Sequence, residues 1–367
     1  MNRPVRVLIV DDSALIQQLL TSLLSADPEI EVVGTAGDPY VARDRIKALN
    51  PDVVTLDIEM PRMDGVTFLR KIMALRPMPV VMISTLTQAA AEITLEALEV
   101  GAVDFIAKPT TNVANTWSEL AGELQAKVKA AARMRVGVRR ASPVVSGAPA
   151  LRRERAVDTS KKIIAIGAST GGVEALKQLL MDMPALCPPI LITQHMPPRF
   201  TAAFAERLNR ECPMTVSEAA HGDVVEPNHV YIAPGSHHLE LVRVAGRYQC
   251  GLSEAPPVSG HRPSVDVLFR SFARTVGSAA IGVILTGMGK DGAEGLLEMR
   301  KAGAATLGQD EASALIYGMP RVAFERGAVM RQYALSHMAD AILDACDGAA
   351  KVHAQDARAT RAATAGQ

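Results

Sequence analysis

The stretch Arg6–Leu24, RVLIVDDSALIQQLLTSLL, sets the fold of the first part of the chain. It begins with a short apolar run, VLIV, which is typical of a strand buried on both faces. Two aspartates follow, and apolar residues then recur at helical spacing, which predicts an amphipathic helix. The predicted apolar face consists of Leu15, Ile16, Leu19, Leu20, Leu23 and Leu24. A buried strand followed by a helix is the repeating unit of a parallel sheet with crossover helices.

The same unit recurs in two series along the chain. From Arg6 the apolar runs VLIV, VVTL, VVMIS and VDFIA alternate with helical segments, and five strand-helix units end near Met134. A second series contains the strands of KKIIAIG, PPILITQHM, HVYIAPG and AAIGVILTGMG. We therefore predict an α/β protein with two doubly wound parallel-sheet domains, residues 1–134 and 161–349.

Two segments have the composition of irregular chain. Residues 135–160 are rich in Arg, Ser, Pro, Ala and Gly without periodicity, which predicts a flexible linker. Residues 350–367 lack an apolar stripe, so burial could not offset the entropy of ordering them, and we predict a disordered tail.

Composition excludes several classes of partner and compartment. The 39 basic residues balance the 39 acidic ones, so we expect neither nucleic acid nor an anionic membrane surface to be bound through charge. No signal peptide and no apolar run of about 18 residues appears, so we predict a cytoplasmic protein without direct membrane insertion. Four cysteines without a C-x-x-C pair argue against a zinc site or a disulfide framework.

Polar side chains converge at the carboxyl ends of the strands in the first series, where open parallel sheets bind ligands. They are Asp11, Asp12, Asp57, Ser84 and Lys108. Three crowded carboxylates need a cation, and an all-oxygen set suits Mg²⁺. With Lys108 and Ser84 binding two phosphoryl oxygens, Asp57 is the candidate nucleophile for phosphoryl transfer. For each acidic residue taken alone, a helix cap or a position in a solvated loop is an equally good interpretation.

The motifs DD, D-I-E-M-P-R-M-D-G and F-I-A-K-P occur in order, and residues 4–130 resemble the receiver domain of two-component response regulators. The resemblance implies a flavodoxin-like fold, phosphorylation of Asp57 by a histidine kinase, and a switch formed by Ser84 and Phe105. Many receivers have Thr and Tyr at the switch positions, but Ser84 keeps the hydroxyl and Phe105 keeps the ring. The Mg²⁺ ligands implied by the resemblance are Asp11, Asp12, Asp57 and the backbone carbonyl of Glu59.

A glycine-flanked serine opens the second series at Gly167–Gly172, GASTGG, directly after the strand IIAI. Such a turn holds either an exposed nucleophile or a phosphate. A dinucleotide site expects an acidic residue at the end of the next strand, but that strand, PILITQ, ends at His195. A later strand precedes Asp291 at the same rim. The sequence therefore favours Ser169 as nucleophile with His195 and Asp291 over nucleotide binding.

Other functions of the second series have less support. DNA binding would need a compact basic three-helix segment, and a nucleotide loop would show a G-K-[ST] lysine; neither is present. Alone, His195 is more often a loop histidine and Asp291 a turn residue. We expect no metal cofactor at the candidate Ser169 site, because the remaining histidines lack H-x-x-x-H spacing on a convincing helix. These include His221, His229, His237, His238 and His261.

Six motifs in order resemble the catalytic domain of chemotaxis protein-glutamate methylesterases: G-A-S-T-G-G, T-Q-H-M-P, Y-I-A-P-G, H-R-P-S-V-D-V-L-F, L-T-G-M-G-K-D-G and Q-D-E-A-S-A-L-I-Y-G-M-P. With the receiver, almost the whole chain resembles the CheB family. The resemblance implies a Rossmann-like domain in which Ser169 is the nucleophile, His195 the general base and acid, and Asp291 the group that fixes the imidazole. Backbone amides near Thr170 and Met288 would form the oxyanion hole.

The implied substrates are methyl-accepting chemoreceptors. Members of this family hydrolyse glutamate γ-methyl esters, releasing methanol, and deamidate selected glutamines. In the family the unphosphorylated receiver lies over the catalytic cleft, and phosphorylation releases it. Arg262, in H-R-P-S, has two interpretations that the sequence leaves open: a contact to acidic receptor helices, or an exposed loop arginine.

Overall fold

The computed structural model divides the chain into two compact units, Met1–Ala150 and Leu151–Gln367. The predicted linker, 135–160, and the predicted tail, 350–367, lie outside the described residues. The residues that the structure describes are 3–108, 113–134 and 162–347. None of the helices in those ranges is both long and apolar enough to cross a bilayer.

The first unit is a five-stranded parallel sheet with the strand order β2-β1-β3-β4-β5. The strands are β1 (Val5–Val10), β2 (Ile30–Ala36), β3 (Val53–Asp57), β4 (Val80–Thr85) and β5 (Asp104–Lys108). The helices are α1 (Ala14–Ser25), α2 (Pro39–Leu49), α3 (Gly65–Leu75), α4 (Gln88–Val100) and α5 (Val113–Ala132). This order is the flavodoxin-like doubly wound arrangement, so the predicted fold of this unit is confirmed.

The apolar face predicted for α1 is correct except at one edge. Leu20 and Leu24 are fully buried in the core formed with β1, β3 and α5. Leu15 was predicted to lie on the same face, but it is 65% exposed. Leu15 lies at one margin of the helical stripe, and the sheet contacts the opposite margin, so the prediction for this residue is wrong.

The second unit contains a seven-stranded parallel sheet with the order β14-β13-β12-β6-β7-β9-β8. Its strands are β6 (Ile163–Ala168), β7 (Ile190–Gln194), β8 (Thr215–Glu218), β9 (His229–Ile232), β12 (Ala280–Ile284), β13 (Ala305–Gln309) and β14 (Arg331–Tyr333). The helices are α6 (Gly172–Asp182), α7 (Phe200–Glu211), α8 (Val265–Thr275), α9 (Ala293–Lys301), α10 (Met319–Glu325) and α11 (Leu335–Cys346), with a 3₁₀ turn at Gly277–Ala279. The second predicted parallel-sheet domain is confirmed.

An antiparallel hairpin, β10 (His238–Val244) and β11 (Arg247–Ser253), forms a separate two-stranded sheet in the second unit. This hairpin was not predicted, because the strands predicted from sequence were continuous apolar runs. In the hairpin, polar and apolar residues alternate instead. Leu239, Leu241 and Cys250 point into the core shared with α8. The hairpin thus supports α8 beside the central sheet.

Helix α8 packs directly on the central strand β6 at a glycine. A Cβ atom added at Gly167 would lie 2.1 Å from Cγ1 of Val265, the first residue of α8. Since real Cβ atoms do not approach that closely, only glycine lets the helix N-terminus reach the strand end. The close approach places the start of α8 at the carboxyl edge of the sheet.

We predict that Gly167→Ala lowers the free energy of unfolding by about 1–3 kcal/mol, because the added methyl group overpacks the contact with Val265. Urea denaturation measures this change. Gly122→Ala is the matched control, since Gly122 is an exposed residue of helix α5 with nothing within 4 Å of an added Cβ. The control should be neutral or stabilised by up to about 1 kcal/mol. Equal stability of Gly167→Ala and the wild type would contradict the packing argument.

Candidate phosphorylation and active sites

Three carboxylates and one lysine meet at the carboxyl edge of the first sheet. Nζ of Lys108, at the end of β5, lies 2.9 Å from Asp11 Oδ2 and 2.9 Å from Asp57 Oδ2. Asp11, Asp12 and Asp57 offer carboxylate oxygens that all lie within 4.8 Å of one another. Hard oxygen donors clustered in this way are the ligands that Mg²⁺ prefers, so these residues fit the predicted cation.

The electrostatics of this cluster disfavour ionisation of Asp57 when no cation is bound. Burial and, to a smaller extent, the nearby charge of Asp11 raise the pKa of Asp57 to about 6, against the opposing charge of Lys108. The backbone N–H of Glu59 also bonds this carboxylate and lowers its pKa. Burial alone would lower the pKa of Lys108, but the charges of Asp57 and Asp11 raise it above its usual value. Lys108 therefore stays a cation beside Asp57, the candidate phosphoacceptor.

The two predicted switch residues lie in the interior. The Ser84 hydroxyl, fully buried, lies 2.7 Å from Thr94 Oγ1 on α4. Because Thr94 donates its own proton to the Ala90 carbonyl, Ser84 donates to Thr94. Phe105 is 4% exposed, and the ammonium of Lys127 lies 5.5 Å from its ring centroid. In this conformation the Ser84 hydroxyl is engaged with α4, and Phe105 is turned inward.

In the second unit, Ser169 stands at the tight turn between β6 and α6. Its N–H donates to the Thr286 carbonyl at 3.0 Å, and its own carbonyl accepts from Gly172 N at 2.7 Å. Gly171 adopts a left-handed φ of +78°, which a residue with a side chain would enter only with strain. A Cβ at Gly172 would lie 2.0 Å from Gln194 Oε1. The glycines of GASTGG therefore allow the left-handed turn at Gly171 and the close packing of Gly172 against Gln194.

His195 is held against this turn through the backbone. Its N–H donates to the Ala168 carbonyl at 3.1 Å. The Gln194 side-chain amide donates to the carbonyls of both Ser169, at 3.0 Å, and His195, at 3.1 Å. Sequence analysis did not assign a role to Gln194, although it lies in the quoted T-Q-H-M-P motif. Gln194 fixes the backbone of the candidate nucleophile relative to that of the candidate base.

Asp291 binds the imidazole of His195 from within a cradle of donors. Its Oδ2 lies 2.8 Å from His195 Nε2, and the Asp291 side chain is 1% exposed. At the N-terminus of α8, Ser264 Oγ donates to Asp291 at 2.9 Å and the Val265 N–H at 2.7 Å. Further N–H donors to this carboxylate are Asp266 and Gly292, each at 3.1 Å.

The cradle keeps Asp291 ionised although it is buried. Burial by itself raises the pKa of this carboxyl, but the hydrogen bond and charge of His195 and the bonds from Val265 and Ser264 lower it below its usual value. Helix α8 begins at this carboxylate, and the partial positive charge of a helix N-terminus favours an anion there. The role of Ser264 was not inferred from sequence; its position before the α8 apolar run is a helix N-cap signal.

The bond to Asp291 decides which nitrogen of His195 is available for proton transfer. Nε2 is engaged, whereas Nδ1 is buried and has no hydrogen-bond partner among the described residues. The turn after β12 lies against the serine, since a Cβ at Gly287 would be 2.8 Å from Ser169 Cβ. Nδ1 is therefore the candidate base atom, and the chain beside Met288 adjoins the Ser169 turn.

Two further residues considered in the sequence analysis, Thr170 and Arg262, make hydrogen bonds to neighbouring backbone and side-chain groups. Thr170 is buried, and its carbonyl accepts from Thr286 Oγ1 at 2.9 Å. Arg262 donates from Nη1 to the Glu254 carbonyl at 2.9 Å and the Ala255 carbonyl at 3.4 Å. Arg262 is exposed, and these contacts hold its guanidinium to its own loop; whether it also contacts acidic receptor helices stays a prediction.

We predict that Asp57→Asn stabilises the Mg²⁺-free protein at pH 7.5. A folded-state pKa of about 6 against the usual 3.8 means that the folded protein binds this proton more tightly. Ionising Asp57 therefore reduces the free energy of unfolding. This loss of stability is absent below about pH 4 and complete above about pH 6, where it amounts to roughly 2–3 kcal/mol. Denaturant unfolding should show the variant to be more stable by about 1–3 kcal/mol at pH 7.5, and by roughly half that at pH 5.

Magnesium provides the internal control for this prediction. Added Mg²⁺ should stabilise the wild type, whose carboxylates it neutralises, and should stabilise Asp57→Asn much less. A variant that is less stable than the wild type without Mg²⁺ at pH 7.5 would contradict the assigned cost of ionising Asp57.

Comparisons with known proteins bear on the whole chain. Residues 164–342 match the family described as CheB methylesterase, and residues 7–114 match the response regulator receiver domain. The chain is 60% identical to the protein-glutamate methylesterase/protein-glutamine glutaminase 1 of Caulobacter vibrioides, over 93% of this chain and 97% of that protein. A methylesterase/glutaminase of Syntrophotalea carbinolica is 52% identical over 94% of this chain and 98% of its own. The chain therefore belongs to the protein-glutamate methylesterase/protein-glutamine glutaminase family, with an N-terminal receiver domain and a C-terminal methylesterase domain.

Proposed function

We propose that Ser169, His195 and Asp291 form the catalytic triad of a phosphorylation-controlled protein-glutamate methylesterase and protein-glutamine glutaminase. The observation that carries this proposal is the buried 2.8 Å bond between His195 Nε2 and Asp291 Oδ2 at the sheet edge that also holds Ser169. A buried carboxylate that is compensated by hydrogen-bond donors and orients an imidazole beside a serine turn is the arrangement that acyl transfer requires.

In the first half-reaction, Ser169 Oγ attacks the γ-carbonyl carbon of a glutamate methyl ester. The serine proton passes to Nδ1 of His195, and Asp291 stabilises the imidazolium that forms. The tetrahedral oxyanion is bound by backbone amides near Thr170 and Met288. His195 then returns the proton to the methoxy oxygen, methanol leaves, and a glutamyl ester on Ser169 remains.

The second half-reaction repeats these steps with water. His195 takes a proton from water, the hydroxide attacks the glutamyl ester, and the proton returns to Ser169 as glutamate is released. A glutamine side chain follows the same route with ammonia as the leaving group. One site therefore accounts for both the esterase and the deamidase activity.

In the receiver domain, Asp57 is the phosphoacceptor. Asp57 Oδ attacks the phosphorus in line while the bond from phosphorus to the donor nitrogen breaks, and Lys108 binds a phosphoryl oxygen. The residues Asp11, Asp12 and Asp57, with the carbonyl of Glu59, would hold Mg²⁺, which would neutralise phosphoryl charge there. Ser84 and Phe105 then change conformation as the switch.

The partners follow from the family. The substrates are methyl-accepting chemoreceptors, and the phosphodonor is a chemotaxis histidine kinase. We place the reaction in the cytoplasm, where the kinase and the methylated receptor helices meet. Demethylation and deamidation of the receptors would give sensory adaptation in chemotaxis.

The proposal is tested by methanol release from methylated receptor membranes, with and without Mg²⁺ and a small phosphodonor. The wild type should be stimulated, Asp57→Asn should stay at its basal rate, and Ser169→Ala should lose at least about a thousandfold in rate. Ser336→Ala, an exposed serine on α11, is the matched control and should behave as the wild type. Wild-type activity in Ser169→Ala would reject the triad.

We further predict that Asp291→Asn lowers kcat by about a thousandfold or more while the fold is retained. An asparagine amide at this position cannot accept every donor of the α8 cradle, and it no longer compensates the charge on His195. Methanol release and thermal unfolding, measured on the same samples, separate loss of catalysis from loss of structure. A loss smaller than tenfold would contradict the role assigned to Asp291.

A further inference from the structure

A second imidazole lies flat on the candidate catalytic base. The rings of His195 and His261 are stacked, with their centroids 3.7 Å apart and their planes inclined by 14°. His261 belongs to the segment 254–264, which leads from the β10–β11 hairpin to α8 and which we call the 254–264 loop. The reaction as derived above gives His261 no role.

The turn that carries His261 is tightly defined. Val258 and His261 exchange two backbone hydrogen bonds, of 3.0 Å and 2.9 Å. The two central residues, Ser259 and Gly260, have φ values of +54° and +82°. Positive φ at both central positions is the requirement of a type I′ turn. His261 is therefore presented by a two-residue turn with defined geometry.

Both ends of the 254–264 loop are fastened by a buried histidine. His238 is 1% exposed, and its Nδ1 accepts the Ser264 N–H at 3.1 Å. That bond requires the proton on Nε2, which then donates to the Pro256 carbonyl at 3.2 Å. Ser264 is also the residue whose hydroxyl donates to Asp291 at 2.9 Å. The loop and the Asp291 cradle thus share one anchor.

Stacking on His261 restrains the plane of the His195 ring, which the hydrogen bond to Asp291 does not do. A single hydrogen bond fixes the position of His195 Nε2, but the ring can still turn about that point and change the direction in which Nδ1 points. A flat ring at van der Waals distance fixes the plane of the imidazole.

We propose that His261 is a positioning residue for His195: its ring, held by the 254–264 loop, sets the imidazole plane so that Nδ1 is directed at Ser169. The inference rests on the proposed function, since it concerns the base of the same triad. It identifies the shape of the side chain as the property that matters. A flat aromatic replacement preserves this property, and an aliphatic one removes it.

The test compares His261→Ala with His261→Phe in the full-length protein, using methanol release and ammonia release from receptor membranes. His261→Ala should lose about tenfold in kcat with KM within twofold of the wild type. His261→Phe should recover to within about threefold of the wild type. Both reactions use His195, so each variant should lose the same factor in both. His337→Ala, which removes an exposed histidine of α11, is the matched control and should be unchanged.

Each other result overturns the inference in a distinguishable way. Equal rates for His261→Ala and the wild type would show that the stack does not orient the base. A His261→Phe variant as slow as His261→Ala would show that ring shape is not the operative property. Different losses in methanol and ammonia release would indicate contact with substrate instead. If the wild type released no methanol, the proposed function would fail and this inference with it.

Discussion

The second domain depends on one buried carboxylate that remains an anion. Asp291 is 1% exposed, yet it accepts hydrogen bonds from the start of α8, from its own turn and from His195. The donors at the start of α8 reach this carboxylate because Gly167 admits Val265 against strand β6. The same arrangement therefore closes the core, begins a helix and holds the imidazole of His195, so a packing defect at β6 would displace the contact between Asp291 and His195.

Each domain has a buried aspartate at its sheet edge, and the pKa values of these two aspartates are shifted in opposite directions. Burial raises the pKa of Asp57 to about 6, and its like-charged neighbour Asp11 adds to the shift. Burial acts on Asp291 in the same direction, but the donors around it reverse the sign and lower its pKa. The negative charge of Asp57 is thus incompletely compensated by the protein, whereas that of Asp291 is already compensated. Hydrogen-bond donors, more than burial, account for the opposite directions of the two pKa shifts.

Much of this organisation could be predicted from sequence, because it is local. Apolar runs separated by helical stripes predicted two parallel sheets, and both are present. The polar residues Asp11, Asp57, Ser169 and His195 each follow a buried strand, and parallel strands direct their carboxyl ends to one edge. The Leu15 prediction failed because a stripe shows which residues are apolar, not which margin of the stripe meets the sheet.

The sequence by itself determined the fold class and the chemical groups at the two sites, since both follow from short-range patterns and ordered motifs. Only the tertiary structure decided how those groups are arranged: Asp291 on Nε2 of a histidine 96 residues away, Gln194 between two carbonyls, and His261 flat on His195. The physical reason is that these interactions are directional. Hydrogen bonds and ring stacking depend on distances and angles between segments remote in the chain, and these are fixed when helices and loops pack, not by the residue types alone.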